Sequence, residues 1–208
     1  MNAYKFLEEN GTSIWSATPW PAPTADGPGA WVESREVRAC HAGVHACRLE
    51  ELAYWMRPTM WEIELDGDIV ESRHKIVAPS GRLLRRMEEY PDAIRELGAV
   101  ATWRTRDRAV TALRAEGRDQ LADRLAECTT LAALEALGAE VPDDGSRGSQ
   151  AALMAVDGAH FAPDGPIEHS PFIASNSAGY AAEDFDTGFA VERGFQSAWL
   201  VDRLGLGA

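Results

Sequence analysis

Two of the three cysteines and two of the five histidines fall in one short run, Cys40-His41-Ala42-Gly43-Val44-His45-Ala46-Cys47. Three chemistries use such residues. A zinc site needs thiolates and imidazoles grouped on one turn, usually with sulfurs roughly two to four residues apart; here six residues lie between the cysteines and no second paired cluster follows. The run lacks the paired-ligand geometry of a structural zinc site, so no metal is assigned and folding is expected not to depend on one. A nucleophilic thiol needs a neighbouring imidazole, because the neutral thiol is a weak nucleophile. Gly43 and β-branched Val44 predict a turn and then a strand, in which His45 and Cys47 point the same way and could form that pair. The third reading is structural: Cys47 a small core residue and His45 a hydrogen-bonded one.

A second candidate lies near the C-terminus. At helical spacing Phe185, Phe189, Val191, Phe195, Trp199 and Leu200 form an apolar stripe, and Glu192, Gln196 and Arg203 fall in the same arc. Polar groups in such a stripe are costly unless paired. Glu192 can be a general-base or substrate-orienting carboxylate with Gln196 beside it, or both can belong to an internal hydrogen-bond network. Trp20, Trp61 and Arg82 complete the candidate substrate-binding set. The row Glu62, Glu64, Asp66 and Asp68 could bind a hard cation, but reads more simply as the solvated face of an edge strand, with Arg82, Arg85 and Arg86 as surface partners. His160 and His169 are placed in a loop. The chain carries no dinucleotide loop, Walker loop, nucleophile elbow or zinc-protease helix, so no cofactor is expected.

The elements that would position these groups divide the chain near Tyr90-Pro91. Residues 1–90 read as β-rich. A Trp/Pro loop runs from Trp15 to Trp31, a short helix covers 48–56 and ends before Pro58, and Met60–Leu65 alternates apolar and acidic residues as a half-buried strand does. Asp66-Gly67 predicts a turn with Asp68-Ile69-Val70 returning as hairpin partner, and a further strand is placed at 74–78. Residues 91–208 read as helical, with helices near 92–98, 101–116, 118–127, 130–137, 150–156, 171–182 and 184–204, and with Gly98, Gly117 and Gly138 as breaks. The fold class is α+β: an antiparallel sheet in the N-terminal half covered by a helical C-terminal half, with a small-molecule pocket expected between them.

The run Cys40-x-x-Gly43-Val44-His45-Ala46-Cys47 is followed by Leu49, Leu52 and Tyr54-Trp55, a Glu-x-Glu strand with Asp-Gly, and Lys75-Ile76-Val77-Ala78. Together these resemble a bacterial and phage domain family of unknown function with a C-x-x-G-F-H-A-C signature. The resemblance covers residues 4 to 86 and departs from the pattern at Val44, where the family has an aromatic, and after Arg48, where a proline is missing. It implies a fold and the importance of Gly43, His45 and Cys47, not an activity. Tyr4-Lys5 and Glu62-Ile63-Glu64 are more distantly similar to the ADP-ribosyltransferase-like fold.

Composition narrows the classes. Of 20 basic residues only Lys5 and Lys75 are lysines, which, with abundant alanine and glycine, reads as a high-GC bacterial origin. A net charge of -13 opposes nucleic acid and anionic membranes as partners. An odd cysteine count and a start without the features of a secretory signal place the chain in the cytoplasm, possible homo-oligomers included. Two functional classes follow: a small-molecule enzyme working through His45, Cys47 and Glu192, or a non-catalytic ligand- or protein-binding module.

Overall fold

The computed structural model describes residues 1–207. Its class is the α+β arrangement that the residue pattern predicts, with antiparallel sheets in the N-terminal half and helices in the C-terminal half. The chain forms two units, Met1–Pro91 with the segment from Leu200 on, and Asp92–Trp199. Among the described residues no helix is long and apolar enough to cross a membrane.

In the first unit, β1 (Asn2–Leu7), β4 (Thr59–Asp66), β7 (Ser80–Arg86) and β2 (Val32–Glu33) form one antiparallel sheet in the order β1-β4-β7-β2. A second sheet has the order β3-β6-β5, from β3 (Val44–Ala46), β6 (Lys75–Ala78) and β5 (Val70–Ser72). Tyr4 and Cys47 join the two by exchanging backbone hydrogen bonds, each 2.9 Å. Ala3, Leu7, Val44, Ala46, Ile63, Leu65, Ile76, Ala78 and Leu83 are the apolar halves of these alternations and form one buried cluster, with Trp20 and Trp61 packed on it.

Two strand expectations change. The segment after Asp66-Gly67 does not return against β4; Gly67, at φ +84°, turns the chain away, and Val70–Ser72 pairs with β6. Nor is β4 an edge strand. It lies between β1 and β7, so its acidic row meets the arginines of β7, Glu64 with Arg82 and Glu62 with Arg85, each at 2.7 Å. The short helix is a 3-10 turn at Leu49–Tyr54, its first N–H satisfied where Arg48 donates to the Glu51 carboxylate at 2.9 Å.

The second unit contains α1 (Tyr90–Ala115, entered from the first unit), α2 (Asp119–Glu127), α3 (Leu131–Ala136), α4 (Arg147–Asp164), α5 (His169–Ala181) and most of α6 (Phe185–Arg203). Gly117 ends α1 at φ +72°, as expected of a glycine after a helix. Gly98 does not break α1, and the stretch from Asp157 to Pro163, read as a loop, is helix. The reason is packing. A Cβ at Gly158 would stand 3.0 Å from the Thr102 hydroxyl, and one at Gly98 would meet Ser170 and Ala162. Gly158 therefore lets α4 approach α1 closely, which offsets its propensity cost of about 1 kcal/mol, whereas a Cβ at Gly98 would make only ordinary contact, 3.7 Å from Ser170. His160 consequently lies on α4, with Nδ1 2.8 Å from Glu135, and His169 begins α5.

Candidate functional site

A cleft of the first unit, about 640 Å³, is lined from β1, β3, the Trp/Pro loop and the Cys/His run. Gly43 sets its floor. At φ +110° it holds a backbone conformation closed to most side chains, and a Cβ there would fall 2.5 Å from a Val77 methyl. This turn lets the Arg38–Ala42 loop fold back, with Arg38 N–H donating to the Ala42 carbonyl at 2.9 Å, so that Cys40 and His41 face the cleft.

His45 fastens that loop. Its Nδ1 is 3.1 Å from the Gly43 carbonyl and its Nε2 accepts from the Cys40 N–H at 3.2 Å, which assigns the Nδ1–H tautomer. Burial, and then the charge of Lys75, push the imidazole below its ordinary pKa, so it is neutral at physiological pH with both nitrogens occupied. Cys47 is 1% exposed, and its Sγ points to the Tyr4 carbonyl at 3.6 Å. Burial, reinforced by Glu51, pushes this thiol well above the usual range. The imidazole-assisted thiolate is not formed: His45 and Cys47 both line the cleft, but each is bonded elsewhere, and a thiol held so far from ionisation is a poor nucleophile.

The groups the residue pattern left unassigned are the two lysines. Both line the cleft, and each keeps only 9% of its surface exposed. Lys5, on β1, donates to the His45 carbonyl at 2.9 Å and stands 4.4 Å from the centre of the Trp20 ring. Desolvation lowers its pKa to about 8, so a sizeable fraction is neutral amine just above physiological pH. Lys75, at the start of β6, approaches Cys40 Sγ at 2.7 Å and lies 5.5 Å from the Trp55 ring. Among the described residues no carboxylate forms an ion pair with either. Around them stand Phe6, Trp15, Trp20 and Trp55, with Ser13 held to the Trp20 indole at 2.7 Å. Two nearly buried amines thus stand amid flat aromatic rings in one cleft. Lysine scarcity was the available signal: a chain that uses arginine eighteen times has its only two lysines at one cleft.

The other candidates lie apart from this cleft's lining. Trp61 packs on the core with its indole N–H on Thr59 Oγ1 at 3.0 Å, and Arg82 pairs with Glu64 and covers Trp31. Glu192 and Gln196 belong to the second unit and are fully buried. Arg104 grips Glu192 with two nitrogens, at 3.1 and 2.9 Å, and Arg108 adds a further contact. Gln196 donates to the Pro171 carbonyl at 2.8 Å and accepts from Arg193 at 3.1 Å. Of the apolar stripe expected of α6, Leu200 is buried while Val191 and Phe185 are exposed, and Glu192, Arg193, Gln196 and Ser197 make up the rest of the buried face. Among the described residues no three His, Cys, Asp or Glu side chains are grouped to hold a metal ion.

Comparison with protein-family models, with curated proteins and with solved structures gives no match.

Proposed function

We propose that the first unit is a small-molecule site whose cleft takes an organic anion with a flat apolar body, and that Lys5 and Lys75, in place of Cys47 and Glu192, are its working groups. The observation that carries this is the convergence of the chain's only two lysines, both nearly buried, both without a carboxylate partner among the described residues, on one aromatic-lined cleft. A buried ammonium without a counter-charge is costly; an anionic ligand supplies the missing charge. Lys5, with a pKa of about 8, suits proton transfer as well as binding, so the reading favours an enzyme over a passive module. His45 and Gly43 are positioning residues for the Cys40 loop. The same roles would account for the C-x-x-G-[FV]-H-A-C signature of the family that the first unit resembles. Three cysteines without disulfide partners suit a reducing, cytoplasmic setting.

Calorimetric titration with naphthalene sulfonate tests the proposal. Saturable one-to-one binding is expected, weakened about tenfold or more in Lys75→Gln and in Lys5→Met, which corresponds to at least about 1.4 kcal/mol. Equal affinity in wild type and both variants would refute it.

A further inference from the structure

We infer that Cys40 and Lys75 form an oxidation-controlled covalent bridge, sulfur to nitrogen through one oxygen, with hydrogen peroxide as the oxidant. Their separation of 2.7 Å is at the short end of an N–H···O bond although sulfur is the larger atom. It is about the span of a single bridging oxygen. Both groups are held there independently. Cys40 is fixed by its backbone, at φ +68° with its N–H on His45 Nε2, and Lys75 by its strand and by the Trp55 ring. Cys40 is also the exposed cysteine of the three, so peroxide reaches it while Cys47 and Cys128 stay buried.

The steps balance. The Cys40 sulfur attacks one peroxide, the O–O bond breaks, and sulfenic acid and one water result. Lys75, having given its ammonium proton to solvent, takes an oxygen from a second peroxide to become a hydroxylamine, releasing a second water. The hydroxylamine oxygen then attacks the sulfenic sulfur, the original S–O bond breaks, and a third water leaves. Thiol, amine and two peroxides thus give the S–O–N bridge and three waters. Sulfur and nitrogen each lose two electrons, and two dithiols, each oxidised to its disulfide, restore thiol and amine and release the bridging oxygen as water. The bridge ties the Cys40 loop to β6 and removes the Lys75 charge. If the anion reading above holds, oxidation therefore switches the cleft off.

The test needs no ligand. The full chain is treated with hydrogen peroxide and mapped by mass spectrometry without reductant. The expected product joins the Cys40 and Lys75 peptides with the gain of one oxygen and the loss of two hydrogens. It is reversed by dithiothreitol, absent from Cys40→Ser and Lys75→Arg, and present in Cys47→Ser. The bridged protein should also melt at a higher temperature, because the link restricts the unfolded chain. Cys40 oxidised only to sulfinic or sulfonic acid with Lys75 unmodified, a Cys40 disulfide between two chains, or a link to Lys5 would overturn the inference. Naphthalene sulfonate binding by the reduced protein is measured separately, so failure of the bridge and failure of the anion site are told apart.

Discussion

The two units each bury charge, and they treat it in opposite ways. In the helical unit Glu192 is fully enclosed and met by two arginines, while Gln196 beside it is bonded on both its oxygen and its nitrogen. In the sheet unit Lys5 and Lys75 are nearly enclosed and meet a carbonyl, a thiol and two indole rings, all neutral. A buried charge with a full complement of partners is structural, and removing it strands those partners. A buried charge that meets only neutral groups and faces a cleft retains capacity for a ligand. Under the proposed anion site, the completeness of pairing, and not burial alone, separates working groups from structural ones.

The largest effect should come from the helical unit. Glu192→Leu leaves Arg104 and Arg108 facing each other without their carboxylate and should lower stability by about 3 kcal/mol or more in denaturant melts. Both arginines are partly exposed, 35% and 22%, and recover some hydration, which holds the loss toward that lower figure. A neutral or stabilising Glu192→Leu would break the contrast between the units.

Lys5→Met should act in the opposite direction. The folded pKa of Lys5 lies near 8 against an ordinary 10.5, so the unfolded chain binds this proton more tightly. The wild type bears the full cost of the buried charge below about pH 8, and that cost disappears as pH rises toward 10.5, where both states are neutral. Lys5→Met should accordingly stabilise the protein at pH 7 by as much as about 3 kcal/mol, and the gain should fade between pH 8 and 10.5. Parallel melts of the two proteins across that range measure the difference. Loss of stability at pH 7 would make Lys5 a structural residue like Glu192.

Gln196→Leu sharpens the helical side further, with an expected loss of about 2 kcal/mol as the Pro171 carbonyl and Arg193 lose their buried partner. The smallest effect concerns the thiols and leaves stability unchanged. Iodoacetamide should label Cys40 in the folded protein, and Cys47 and Cys128 only after denaturation. Labelling of native Cys47 at neutral pH would restore the nucleophile that its burial denies.

What could be read from the chain follows from which signals are local. Alternation over Met60–Leu65 and the apolar spacing of the second half are local patterns, and they give the α+β class correctly. Strand partners are not local. Val70–Ser72 goes to β6 because of the turn at Gly67, and β1 and β7, which flank β4, lie outside the strands that the residue pattern predicts. Gly98 looks like a break because propensity registers only its cost, and the stretch with Gly158 looks like a loop because the benefit of that glycine, close approach to Thr102, belongs to the partner helix. For the site, the Cys40–Cys47 run is unusual in the chain, and His45 and Cys47 both line the cleft. The lysines are legible in the chain only as a count. Only the fold brings residues 5 and 75 to one cleft.

That scarcity also supplies the most direct measurement. With carbon-13 at the lysine Cε position, the protein has two lysine side-chain signals, one from Lys5 and one from Lys75. The account predicts that naphthalene sulfonate shifts both signals along one saturable curve, and that in the free protein the Lys5 signal titrates near pH 8. Two lysine signals that stay fixed while the ligand binds, or a Lys5 signal that titrates at the ordinary 10.5, would contradict it.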